Sequence, residues 1–142
     1  MLFRSLDVSI QAQILNLLAD IQAQFGLTLL FISHNLGVVR HVSHRIAVMY
    51  LGRLVELASE EVLFERPLHP YTAALIAAVP EPDPATRGRL AVLPGEIPSP
   101  LNPPPGCPFN TRCPRVEARC RAELPEFREV EAGRWVRCHF PG

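Results

Sequence analysis

Four cysteines carry the most evident chemistry of this 142-residue chain. Cys107, Cys113, Cys120 and Cys138 follow one another as C-x5-C-x6-C-x17-C, all within the last 36 residues. Cys107 and Cys113 each precede a proline, and Cys107 follows Gly106. Turns of that kind free thiolates and backbone amides to converge on one centre. Four thiolates suit a zinc ion, although the spacing lacks the usual C-x2–4-C knuckles. They also suit an iron–sulfur cluster, which tolerates longer spacings. Disulfides would need an oxidising compartment. His139, beside Cys138, is an alternative ligand. Seven arginines lie from Arg112 to Arg137 against five glutamates, a surplus that would offset a negatively charged centre. Trp135 and Phe140 flank Cys138 and would either shield a centre from water or form a small core. A second point of interest is His34, which closes an apolar run, with Asp7 as a helix cap upstream. His41 and His44 lack a third ligand and read as solvated.

The elements that must hold these groups are legible in the spacing. Ile10, Ile14, Leu17, Leu18, Ile21 and Phe25 recur at helical intervals, so residues 9–25 form an amphipathic helix. Asp7 or Ser9 caps its start and Gly26 ends it. Residues 27–33 (LTLLFIS) are the near-continuous apolar run of a strand buried in a parallel sheet. His34 then stands at that strand's carboxyl end, the edge where open α/β sheets bind ligands. A short helix follows over 35–42. Residues 45–58 read as two strands turning around Gly52 and Arg53, and a helix starts at Glu60. His69-Pro70-Tyr71-Thr72 opens another, with Pro70 tolerated in the first turn and Pro80, Pro82 and Pro84 ending it. Six prolines from Pro98 to Pro108 make that stretch extended and stiff. A boundary is placed at residue 84/85.

Composition narrows the function. Apolar residues make up 48% and charged residues 20%, a globular balance, and the formal net charge is zero. Nothing here favours nucleic acid as a partner. No apolar run approaches the roughly 20 residues that span a bilayer, and the first residues do not resemble an export signal. All fourteen basic residues are arginine. A phosphate-binding loop needs a lysine to reach the β and γ phosphates, so the chain holds no nucleotide in that manner by itself.

Ser5-Leu6-Asp7, the helix after it, and LTLLFISH at 27–34 together resemble the end of an ABC-transporter ATPase domain. There an S-A-L-D segment follows the Walker B strand and the catalytic Glu, and the next strand ends in the switch His. The resemblance implies that Asp7 is the D-loop Asp, facing an opposing ATPase subunit, and His34 the switch His, contacting the γ-phosphate of ATP-Mg. An imidazole donor aimed at the transferring phosphoryl group stabilises its charge and orients the attacking water. The match departs upstream: Met1 stands where the catalytic Glu would be, and Arg4 replaces the Ser of S-A-L-D. Walker A, the signature motif and Walker B would precede Met1. The chain therefore reads as a truncated copy, inactive as an ATPase alone.

The H-P-Y-T at 69–72 in ERPLHPYTAAL, with GEIPSPLNPPPGC at 95–107 and the cysteines, resembles the peptide and nickel importer branch of that family. The implied fold is α/β: a partial parallel sheet with helices, the C-terminal half of an ABC-type ATPase domain over 1–84, then a loop-rich cysteine extension over 85–142. That extension is associated with a 4Fe–4S cluster, which puts zinc second. The implied partners are a second ATPase subunit and transmembrane permease subunits, on the cytoplasmic face of the membrane. The rival readings are a free-standing iron–sulfur or zinc module without catalysis, and a non-functional remnant.

Overall fold

A computed structural model describes residues 7–79, 93 and 95–142, and of the side chains at 7–9 and 11 nothing is described. The prolines at 80, 82 and 84 and the boundary at 84/85 fall outside those residues. The chain divides into two compact units, one ending at Ser43 and the other beginning at His44.

In the first unit, helix α1 (Asp7–Phe25) forms where the apolar spacing requires it. Gly26 adopts φ 62, and Leu27 N–H donates back to the Gln22 carbonyl at 3.2 Å, the left-handed stop that glycine permits. Helix α2 (Leu36–Val42) starts at Asn35, whose Oδ1 accepts from Val38 N–H at 3.3 Å. Between the helices, residues 27–33 form no β-ladder. The expected parallel sheet is therefore corrected: every ladder among the described residues is antiparallel and lies in the second unit. A strand exists through its neighbours' hydrogen bonds, and no described strand runs beside this run. Leu30 is 90% and Ile32 87% exposed, and Ile14, Leu17 and Phe25 of α1 are more than half exposed. An apolar sequence written for two buried faces here has neither.

The second unit is built on a hairpin of β1 (Arg45–Tyr50) and β2 (Arg53–Ser59). Its loop is Leu51-Gly52, one residue earlier than the spacing suggests, with φ 45 and 74. Two consecutive positive values are what a two-residue hairpin turn of the right twist demands. Helix α3 (Glu60–Glu65) follows directly, and α4 (Pro70–Ala77) begins after His69, whose Nδ1 accepts the Tyr71 N–H at 3.1 Å. Beyond the proline-rich stretch come α5 (Ala118–Ala122), β3 (Arg128–Glu131) and β4 (Arg134–Val136). The sheet runs β1-β2-β4-β3. Residues from the cysteine-bearing end thus complete a sheet begun at residue 45.

The hydrophobic core lies on the inner face of β1, where Ile46, Val48 and Tyr50 alternate inward, and continues through Val55, Ala58, Leu63 and Val136. Phe109, from the loop between the first two cysteines, is 1% exposed and packs edge-on against Tyr50 at 5.2 Å between ring centroids. That aromatic contact links the cysteine loop to the sheet.

One buried polar group organises the rest. Glu56 on β2 is fully buried, and its two carboxylate oxygens accept the backbone N–H groups of Leu68 (2.8 Å) and His69 (2.9 Å). Arg134 of β4, 2% exposed, brings Nη2 to 3.5 Å from Glu56 Oε1, and that same Nη2 donates to the Arg66 carbonyl. Arg66 in turn forks onto Glu131 at 2.7 Å. The pair joins β2, β4 and the 66–69 turn at one point. Removing one partner of such a pair strands the other charge in the interior. Glu56→Ala is therefore expected to cost about 3–5 kcal/mol in urea denaturation, and Glu56→Leu/Arg134→Met should recover only part of it, because the Leu68 and His69 N–H groups stay unpaired. An unchanged midpoint for the single variant would contradict this assignment.

Candidate metal centre

The thiols singled out by spacing meet in space. Cys107, Cys113, Cys120 and Cys138 all line one small cavity of the second unit, and none is disulfide-bonded. Each arrives on a different piece of backbone. Cys107 and Cys113 come from the turns after the prolines, Cys120 from α5, and Cys138 from the two residues beyond β4. Cys107 N–H donates to the Cys120 carbonyl at 2.8 Å, which brings the first segment against α5. Asn110, buried, reaches back through Nδ2 to the Pro105 carbonyl at 2.6 Å and closes the loop around Cys107.

Gly106 makes that approach possible. It holds φ 72, and a Cβ there would lie 2.5 Å from the Cys120 carbonyl oxygen and 2.8 Å from the Arg121 carbonyl carbon. Both obstacles are backbone, so neither yields by turning a side chain.

The electrostatics favour protonated thiols in the chain as it stands. Burial pushes Cys107 up to about 11, with the other three cysteines adding to the shift. Burial likewise raises Cys113 and Cys138. Opposing this are donors aimed at sulfur. The backbone N–H of Phe109 bonds Cys107, that of Arg115 bonds Cys113, and that of Phe140 bonds Cys138, in each case two residues on. The Arg115 charge also lowers Cys113 and Cys138. Backbone N–H groups folded onto sulfur stabilise thiolate, the form that binds metal. Thiols buried together are costly to ionise without a cation, and three of these carry donors that only a thiolate fully uses.

Four thiols border one cavity, and among the described residues no group of three or more His, Cys, Asp or Glu side chains is arranged to hold a metal ion.

The other expected site residues lie elsewhere. His34 is exposed at a bend before Asn35, in the first unit. Asp7 is the first residue of α1, its side chain outside the description. His41 and His44 are exposed. His139 lines the cysteine cavity, but its Nε2 lies 3.0 Å from the Glu123 carbonyl, which ties the ring to the backbone. Two residues that the cysteine spacing did not reveal also face the cavity: His69 and Arg115. The H-P-Y-T motif marked His69 as the start of a helix, and nothing in its neighbourhood placed it near residues 107–138.

Comparison with known proteins gives the chain's relatives. Residues 55–120 match the family described as "Oligopeptide/dipeptide transporter, C-terminal region". The relatives it matches over nearly its whole length are named as peptide ABC transporter ATP-binding proteins. It is 61% identical over 136 residues to a probable peptide ABC transporter ATP-binding protein of Sinorhizobium fredii, covering 95% of this chain and 38% of that protein. It is 54% identical over 134 residues to a putative peptide import ATP-binding protein of Brucella ovis, covering 94% and 42%. It is 51% identical over 142 aligned residues to the oligopeptide transport ATP-binding protein AppF of Bacillus subtilis, covering 96% and 42%. The chain thus spans about two-fifths of the length of the curated relatives it matches. No helix among the described residues is long and apolar enough to cross a membrane.

The close approach at Gly106 yields a direct test. Gly106→Ala should force the Cys107 segment off α5 and destabilise the second unit by about 2 kcal/mol or more, the cost of a strained left-handed residue together with a backbone clash. Reaction of the four thiols with a colorimetric thiol reagent under native conditions should accelerate correspondingly, whereas an unaltered rate would show that the approach is dispensable.

Proposed function

We propose that this chain acts within the ATP-binding subunit of a peptide-importing ABC transporter. The observation that carries the proposal is identity of 51–61% over nearly the whole chain to proteins so named. In this reading residues 1–84 supply part of the ATPase domain and residues 85–142 its extension. The working subunit pairs with a second ATPase subunit and docks on membrane-spanning permease subunits at the cytoplasmic face.

Asp7 and His34 have separate tasks. Asp7, at the N-terminus of α1, faces the opposing subunit across the shared nucleotide interface. His34 presents its imidazole to the γ-phosphate of ATP-Mg and stabilises the charge that develops during transfer. The phosphate-cradling loop belongs to sequence that this chain does not contain, since it has no lysine. By itself the chain therefore binds ATP weakly and does not hydrolyse it. The exposed apolar surface of α1 and residues 27–33 supports this, because the remainder of an ATPase domain would bury it.

The four cysteines fit an inorganic centre. Four reduced thiols border one cavity, three accept backbone N–H groups, and Arg115 offers charge compensation. In this reading Cys107, Cys113, Cys120 and Cys138 hold a 4Fe–4S cluster, with zinc as the alternative. Such a cluster supplies a covalent cross-link between the loop at 107–113, α5 and the segment after β4, and in a region short of core this linkage is folding free energy.

Two experiments test the proposal. In a Bacillus subtilis strain lacking AppF, a chimera carrying this chain in place of the matching portion of AppF should restore oligopeptide uptake. His34→Ala in that chimera should reduce ATP turnover by about 100-fold or more while nucleotide binding persists. A folded, membrane-recruited chimera without uptake would refute the transporter assignment. Independently, anaerobic incubation of the chain with ferrous iron and sulfide should give a broad visible absorbance and about four iron per chain. Colourless protein with tightly held zinc would replace the cluster with a single ion.

A further inference from the structure

His69 is far from the four cysteines along the chain and adjacent to them in space. It is 1% exposed and forms part of the wall of the cavity that Cys107, Cys113, Cys120 and Cys138 border. Its place is set from two sides. Its backbone N–H is held by Glu56 Oε2 at 2.9 Å, and its ring packs against Phe109 at 5.6 Å between centroids.

The two ring nitrogens are not equivalent. Tyr71 N–H reaches Nδ1 at 3.1 Å. A backbone amide only donates, so Nδ1 must present a lone pair, and the neutral ring carries its proton on Nε2. That N–H is the side chain's single polar hydrogen. The Phe109, Arg115 and Phe140 amides already show how sulfur is satisfied there, by N–H donors from the surrounding fold.

We propose that His69 is a positioning residue of the four-cysteine centre, its Nε2–H donating a hydrogen bond to the centre's sulfur and so tying the first turn of α4 to the metal site. The inference rests on the reading of the cysteines as an iron–sulfur centre. Sulfur bound to metal carries negative charge, and a donor in a buried site stabilises that charge more than it would in water. Loss of an outer partner of this kind costs a metal site about 10–100-fold in affinity.

Two substitutions separate the ring's nitrogens. In His69→Asn the amide oxygen stands near Nδ1 and keeps the cap on Tyr71, but nothing replaces Nε2. In His69→Gln an amide N–H stands near Nε2, and the cap acceptor is lost. The full chain and both variants are loaded anaerobically with ferrous iron and sulfide, then challenged with an iron chelator while the visible absorbance is followed. Metal-free samples are melted in parallel. The Asn variant gives up the ring's packing on Phe109 but keeps the cap, and it should lose iron about tenfold faster or more. The Gln variant should melt lower yet release iron at close to the parental rate. Parental release from the Asn variant, or release from Gln as fast as from Asn, would overturn the role of His69 and leave the centre intact. A parent chain that takes up no iron and sulfide would overturn the centre itself, and this inference with it.

Discussion

The second unit depends on a carboxylate that has no access to water. Glu56 sits on the central strand β2, fully buried, and answers three partners: two backbone amides of the 66–69 turn and the guanidinium of Arg134. A lone buried charge is among the costliest features a fold can carry, so each partner is compulsory. The consequence is geometric. The turn is drawn against the sheet, α4 must start at residue 70, and the His69 ring is delivered to the cavity of the cysteines. Arg134 plays the matching part from β4, bringing the strand that leads to Cys138. The charge pair and the thiols are therefore not independent features.

The cysteine region shows how a loop-rich segment is held without a core of its own. Phe109 is its anchor, buried in the sheet's aromatic cluster with Tyr50 and Tyr71. Arg137 is a second one: it donates to the Leu54 and Pro125 carbonyls and lies over the Phe127 ring at 5.5 Å. Between these anchors the backbone is free to point amides at sulfur. Burial raises Cys107, Cys113 and Cys138 and the amides partly offset it, a balance that a cation would tip towards thiolate.

Much of this was legible in the sequence, for identifiable reasons. Helix α1 follows from the spacing of Ile10, Ile14 and Leu17, and α4 from a proline in a first turn. Convergence of the cysteines could be expected because two precede prolines and one follows a glycine. The misreading concerned residues 27–33. Their composition describes a doubly buried parallel strand, but strand formation is a property of neighbours rather than of a segment, and no described residue supplies them. The hairpin turn was misplaced by one residue because Leu51, a poor occupant of positive φ, shares it with Gly52. His69 was missed as a companion of the thiols because the link between them is tertiary: a glutamate thirteen residues upstream holds its backbone. No local pattern encodes that distance.

The sheet has a further consequence for how the polypeptide is made. The Val55 carbonyl accepts from the backbone N–H of Arg137, and the Leu54 carbonyl from that residue's side-chain Nε, 83 residues later. A ribosome adding 5–20 residues per second needs on the order of 4–16 s to cover such a gap. Through that interval the newborn hairpin shows one bare edge, with Glu56 lacking its cation and Val55 lacking its cover. Slow codons within this stretch would lengthen the exposure.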